Sequence, residues 1–189
     1  MGVAIAEAAA GLGADVELVL GPSDITPENP SIKVTNVTNA DSMAASCMEK
    51  FKSCDIAILS AAVADFTPVV VSDRKMKKTP GNLIIELKPT TDIALTLGKM
   101  KRRGQILAGF ALETDDELEN ARAKLKRKNL DMIVLNSLKD QGAGFGHNTN
   151  KITIIDRNNI IDKFELKSKE EAALDILTKI MSLIKKAGK

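Results

Sequence analysis

The sequence predicts an α/β domain built on a doubly wound, mostly parallel sheet, with a β-arm protruding from it. Three observations point there. Short runs rich in Val, Ile and Leu alternate with amphipathic stretches, the pattern of strands covered by helices on both faces. A chain of 189 residues, 44% hydrophobic and 28% charged, is long enough for one full core and too short for two, so residues 1–189 are expected to form one domain. One segment breaks the alternation, with a turn where a crossover helix would stand.

Residues 2 to 12 carry the first helical period, and "DVELVL" (15 to 20) and "IKVTNV" (32 to 37) follow as strands. A helix over 41 to 52 leads to the strand "IAILSA" (56 to 61). Residues 92 to 102 then precede "QILAGFA" (105 to 111), and 115 to 128 precede "MIVLN" (132 to 136). The strand "KITIID" (151 to 156) and a helix over 169 to 186 complete the series. Two helices are expected to open on capping boxes, Thr114 with Glu117 and Ser168 with Glu171, where hydroxyl and carboxylate satisfy free backbone N–H groups. The exception is residues 74 to 88, "RKMKKTPGNLIIELK", with two extended pieces around the turn signal "TPGN". Its "LIIEL" strand has an apolar face that a monomer leaves wet, so pairing of two arms in a homodimer is expected.

The beginning is unusual. A doubly wound sheet ordinarily opens with a strand and a glycine-bearing loop before its first helix, and here the helix starts at once. A strand and loop upstream of Met1 are therefore expected in the complete fold.

Composition removes several functions. The apolar runs are too short to cross a bilayer and no secretory leader opens the chain, so neither a membrane nor an exported location is expected and the cytoplasm is the default. A net charge of +2, without Trp or Tyr for base stacking, argues against nucleic acid as a partner. Cys47 and Cys54 match neither a zinc pair nor a redox CxxC and read as buried thiols. With His147 the only histidine, a multi-histidine metal site is excluded. Chemistry here must use lysines, carboxylates, amides and backbone.

In an open α/β sheet the ligand sits beyond the carboxyl ends of the strands, which directs attention to the loops after Ala61, Ala111 and Asn136. Ser60 and Ala61 lead into Ala62, Val63 and Ala64, small enough for a flat ring or ribose to approach the backbone. Asp65 then suits a hydroxyl or a magnesium ion. Lys75, Lys77 and Lys78 repel one another unless they face water or share an anion, and "PTTDI" (89 to 93) supplies a helix start. Lys124 and Lys128 stand one helical turn apart, either clamping a phosphate or lying on a solvated face. No Walker A motif or GxGxxG fingerprint occurs; "GAGFG" (142 to 146) reads as a loop, and His147 beside it as a surface residue.

Taken in order, "SAAVADF", "KMKK", "TDI", "GFALET", "KLKRKNLDMIVLN" and "GFGHNTN" resemble the phosphopantothenate-cysteine ligases, the synthetase part of a bifunctional coenzyme A biosynthesis flavoprotein, over residues 1 to about 180. The resemblance implies a Rossmann-like fold and a two-step reaction. The carboxylate of 4'-phosphopantothenate attacks the α-phosphate of CTP to give an acyl-cytidylate, and the amine of L-cysteine then displaces CMP. It implies Asp65 at the nucleotide and Mg2+ site and Lys75 on the triphosphate, the two catalytic assignments. Thr91, Asp92, Ile93 and Ala94 would lie against the nucleotide, Phe110 would form an aromatic wall, and Lys124 and Lys128 would bind phosphate. Asn136, with Ser60 and Ala61 at the nucleotide, completes the candidate set. The resemblance also implies a phosphopantothenoylcysteine decarboxylase as partner or fused domain, with no FMN expected in this chain. It departs from the family at the front, where no residue corresponds to the loop asparagine that acts on the intermediate. A nicotinamide-dependent reductase and a non-catalytic, nucleotide-binding or dimerising remnant are the competing readings.

Overall fold

The computed structural model describes residues 1–77, 81–113, 115–137 and 148–187. Lys78, Thr114, the "GAGFG" loop and His147, singled out above, lie outside the described residues. In chain order the elements are α1 (Gly2–Gly11), β1 (Glu17–Leu20), β2 (Lys33–Asn36), α2 (Ala40–Phe51), β3 (Ile56–Leu59), β4 (Phe66–Pro68), β5 (Leu87–Pro89) and α3 (Ile93–Met100). They continue with β6 (Ile106–Glu113), α4 (Glu117–Arg127), β7 (Met132–Ser137), β8 (Thr149–Asn150), β9 (Ile152–Asp156), β10 (Ile161–Lys163), β11 (Lys167–Ser168) and α5 (Lys169–Ala187). Each of the six strands and five helices expected from periodicity is present.

The main sheet has the order β10-β9-β7-β6-β3, parallel from β3 through β7 and antiparallel in β9 and β10. Alternation along its strands divides the core into two layers. Ile106, Ala108, Met132, Val134, Ile152 and Ile154 face α1 and α5, where Ile5, Ala172, Ile176 and Ile180 meet them. Leu107, Ala111, Ile133, Leu135 and Ile155 face the opposite way, against Ala44, Phe51, Leu97, Ala121 and Leu125 of α2, α3 and α4. Helices thus cover both faces, as a doubly wound sheet requires. A separate parallel pair, β1 with β2, packs through β1 against α1 and α2.

Local chemistry sets the helix starts. Ser168 and Glu171 form the expected reciprocal box at α5, with the Ser168 N–H donating to Glu171 at 3.0 Å and the Glu171 N–H to the Ser168 hydroxyl at 3.1 Å. Asn39 and Ser42 form a second box at α2. At α4 the residue before the helix is Asp116, at a φ of 45°, a left-handed conformation that a short polar side chain tolerates. Beneath the sheet Asp131, 1% exposed, is held by Lys101 at 3.0 Å, by Arg157 and by the Leu107 N–H at 2.8 Å. Its charge is matched, so its burial is tolerated.

The arm differs from its sequence pattern. The antiparallel ladder joins Phe66–Pro68 to Leu87–Pro89 and reaches one step further where the Val69 N–H donates to Glu86 at 3.0 Å, so only Leu87 of "LIIEL" belongs to a strand. Val70 is 81% and Ile84 90% exposed. A two-stranded ribbon whose apolar residues stay exposed is marginal, and among the described residues of the arm only those at its base pair. Among the described residues no helix is long and apolar enough to cross a membrane.

Candidate functional site

A cavity of about 1930 Å³ opens at the carboxyl ends of β3 and β6 and continues inward between β1 and β3. Ser60, Ala61, Asp65, Thr91, Asp92, Ile93, Ala94, Phe110, Lys124 and Lys128 all line it. Residues spread over a 69-position span are therefore brought to one cavity. Lys75 and Asn136 are not part of the lining.

The loop after β3 is fixed to the start of α3. The Thr90 hydroxyl donates to the Ala64 carbonyl at 2.6 Å and the Thr90 N–H to the Asp65 carbonyl at 2.9 Å. Asp65 itself is exposed to the cavity. Asp92 caps α3, its carboxylate accepting from the Leu95 N–H at 3.0 Å. The same oxygen takes the Lys128 ammonium, also at 3.0 Å. Burial pushes the Asp92 carboxyl up, but the Leu95 N–H and the Lys128 ammonium outweigh it and hold it below the ordinary aspartate value.

Both phosphate-binding candidates are ion-paired in this state. Lys128 is bound to Asp92, and Lys124 reaches Glu113 at the end of β6, 2.5 Å away. Each pair is partly open to water, so exchange of a carboxylate for an incoming anion costs little. The arrangement can keep two cations in place on one rim without an anion present. Gly98 adds a mechanical constraint: a Cβ there would stand 1.9 Å from the Lys128 carbonyl, so the end of α4 rests directly on α3.

Asn136, half-buried near the end of β7, accepts from the Asn150 amide at 3.3 Å, and Asn150 is 1% exposed. Lys75 is exposed on the arm. Among the described residues no three His, Cys, Asp or Glu side chains gather as a metal cluster. A hard cation here would rely on Asp65 and on oxygens of a bound phosphate, which suits magnesium. Burial pushes the thiols of the half-buried Cys47 and Cys54 up from their ordinary values, so they are weak nucleophiles. Sequence reasoning passed over Thr90 and Glu113. Glu113 carried a signal, an ionised side chain ending a strand that is otherwise buried; Thr90, one hydroxyl among several polar neighbours, carried none.

A parallel-rich sheet with helices on both faces and a cavity beyond its strand ends defines a Rossmann-like α/β protein. The family model described as "DNA/pantothenate metabolism flavoprotein C-terminal domain" matches residues 1–184, and the chain belongs to that family. A protein of an unknown prokaryotic organism named "Cysteine/Cysteine sulfinic acid decarboxylase" is 61% identical over 184 residues, 97% of this chain and 51% of that protein. The "Coenzyme A biosynthesis bifunctional protein CoaBC" of Bacillus subtilis (strain 168) is 44% identical over 188 residues, 100% of this chain and 46% of the relative. The crystal structure of the C-terminal domain of a CoaBC protein superposes with a TM-score of 0.82 at 34% identity, covering 98% of this chain and 82% of that one. The chain spans about half the length of the curated relatives it matches.

Proposed function

We infer that residues 1–189 act as one synthetase unit that joins 4'-phosphopantothenate to L-cysteine, using CTP, in coenzyme A biosynthesis. The observation that carries this reading is the gathering of Asp65, the Asp92 helix start, Phe110, Lys124 and Lys128 around one cavity in a relative of CoaBC. In the first step a carboxylate oxygen of phosphopantothenate forms a bond to the α-phosphorus of CTP, and the bond to the β-phosphate oxygen breaks, releasing pyrophosphate. The attacking carboxylate is already ionised at neutral pH, so no general base is needed. In the second step the cysteine ammonium gives a proton to solvent, the amine nitrogen attacks the acyl carbon, the bond from that carbon to the CMP oxygen breaks so that CMP leaves, and the nitrogen gives its second proton to solvent as the amide forms.

The chain's residues serve this by binding and charge. Lys124 and Lys128 exchange Glu113 and Asp92 for phosphate oxygens, placing positive charge where it develops on the leaving group. Magnesium, held by Asp65 together with phosphate oxygens, would add further charge stabilisation. The free N–H groups at the start of α3, behind Thr91 to Ala94, face the nucleotide. Phe110, half-buried at the cavity wall, offers a flat surface. Lys75 reaches the triphosphate by a movement of the arm over the cavity, since the base of the arm joins the rim at Asp65 and Thr90. Exposed Val70, Val71, Leu83 and Ile84 supply the apolar surface for a homodimer through the arm. A cytoplasmic setting and a decarboxylase partner or fused domain belong to the same proposal.

The test is pyrophosphate release from CTP with magnesium and 4'-phosphopantothenate, with and without L-cysteine, by this chain and by an upstream-extended version. Release dependent on phosphopantothenate in either version supports the ligase; none in both overturns it. The 61% identity to a protein named as a decarboxylase favours a second reading. Carbon dioxide released from cysteine or cysteine sulfinate, without CTP, would establish that one instead.

A further inference from the structure

The end of α4 is closed by a turn that few residue types can make. Just past the helix Asn129 has a φ of 51°, in the left-handed region. The Asn129 N–H donates to the Lys126 carbonyl at 3.2 Å, and the Leu130 N–H to the Leu125 carbonyl at 3.0 Å. Together these bonds make a Schellman turn, whose left-handed position is ordinarily glycine and sometimes asparagine. Glycine would satisfy the backbone; asparagine brings an amide as well.

That amide donates to the Gly98 carbonyl at 2.8 Å. Gly98 lies in the last turn of α3, where carbonyls have no partner within the helix, so Asn129 caps α3 from outside. The Asn129 carbonyl in turn accepts from the Lys101 ammonium at 2.6 Å, and Lys101 is also held by buried Asp131 at 3.0 Å. The Lys128 carbonyl fills the space that a side chain at position 98 would occupy. One turn thus grips the end of α3 at three points. From the same turn the Lys128 side chain reaches back to Asp92 at the start of α3, 3.0 Å away. Since α3 has eight residues, about 12 Å at about 1.5 Å per residue, the turn engages it along most of its length.

We propose that Asn129 is a positioning residue for Lys128: it fixes the α4 turn onto α3, so that the Lys128 ammonium stands at the Asp92 helix start where a phosphate oxygen of the nucleotide arrives. This role rests on the reading of the cavity rim as a nucleotide site. A lysine ammonium is a point charge on a flexible stem and has little orientation of its own. Its backbone must therefore be held, and the contacts of Asn129 hold it. On a loose turn Lys128 would lose more freedom each time it captured a phosphate. Bound CTP and the transition state would both feel that loss, so it falls on KM more than on kcat.

The experiment places Asn129→Gly in the 189-residue chain and in its upstream-extended version. Glycine keeps the left-handed turn and removes only the amide. Two quantities are read: the acid titration of Asp92 by NMR without nucleotide, and the steady-state kinetics of CTP. The Lys128 ammonium helps to hold the Asp92 carboxyl below its ordinary value, so a loosened Lys128 lets it rise. The expected result is an Asp92 midpoint moved up, with KM for CTP raised roughly tenfold and kcat changed less than about threefold. Asn129→Ala, which also loses the tolerance of positive φ, should move both further. Asn39→Ala, at the α2 cap and outside the cavity lining, controls for stability: it should lower the urea midpoint and leave both readouts unchanged. An unchanged Asp92 midpoint in Asn129→Gly overturns the positioning role even where CTP is a substrate. So does an unchanged KM, or a rise in KM that Asn39→Ala reproduces. Failure of both unaltered versions to turn over CTP would instead overturn the nucleotide reading, and this role with it.

Discussion

The half of the molecule around β6, β7 and β9 and the half around β1, β2 and β3 have similar strand compositions and different fates. Leu107, Met132, Val134 and Ile154 are at most trivially exposed, between strands that pair on both edges. Leu18, Val19, Ile56 and Ile58 are equally apolar and remain half-exposed, because among the described residues each of their strands pairs on one edge only. Hydrophobic content alone does not bury a strand; a neighbour must close its hydrogen bonds first.

The largest effect that would sharpen this contrast is removal of the charge beneath the closed half. Asp131→Ala strands the Lys101 ammonium, whose side chain is 10% exposed, and should cost about 3–5 kcal/mol by urea denaturation. Val19→Ala in the open half should cost under about 1 kcal/mol, and equal losses would erase the distinction. On the arm, outside the cavity lining, the proposed role of Lys75 on the triphosphate predicts that Lys75→Gln lowers turnover by about 10²–10³ with the urea midpoint unchanged; undiminished turnover would end that assignment. Gly98→Ala forces α3 and the end of α4 apart and should cost about 1–3 kcal/mol, detected as a lower melting temperature.

Acid should act mainly on the closed half. Burial pushes the Asp156 carboxyl up, but the Ile160 and Asn158 N–H groups and the Lys179 ammonium outweigh it, so its folded value lies below the ordinary one. Its stabilisation is present above the unfolded value, about 3.9, and is lost as the pH falls through the lower folded value. Lys179 is shifted oppositely: burial lowers it, while Asp162 and Asp156 raise it further, so its contribution is complete below about 10.4 and lost at higher pH. Asp156→Asn should flatten the fall in urea midpoint below about pH 4; an unchanged acid limb would assign it to other carboxylates. Ser168→Ala should cost about 1 kcal/mol by urea denaturation, through loss of the α5 cap.

Much of this architecture was legible in the chain. The main strands were readable because a strand buried on both faces must be a short continuous apolar run, and "IAIL", "ILAGFA" and "MIVLN" are such runs. The two-residue β8 and β11 were not, since their pairing of Asn150 with Lys167 depends on the path of the intervening chain. In the arm the pattern of "LIIEL" was clear but its pairing was not, because alternation specifies a face and says nothing of what covers it. The loop after β3 was legible as small residues ending in a carboxylate. That Lys124 and Lys128 would each already hold a carboxylate was not, because each ion pair joins two different elements, α4 to β6 and α4 to the start of α3, whose packing a sequence does not display.

The two hydrogen bonds from Thr90 to Ala64 and Asp65 have a consequence for how this protein can change over time. They bring together the points where the arm leaves the body and returns to it, so the chain between them is a cassette with a fixed socket. The entropy of closing such an excursion grows only with the logarithm of its length. Residues can be gained, lost or exchanged between Val69 and Glu86 at little thermodynamic cost while Asp65 and Asp92 keep their places on the rim. Fold stability thus leaves the length of the arm open, and only the function proposed for Lys75 and for the exposed apolar residues of the arm restrains it, whereas the socket is restrained by the fold itself.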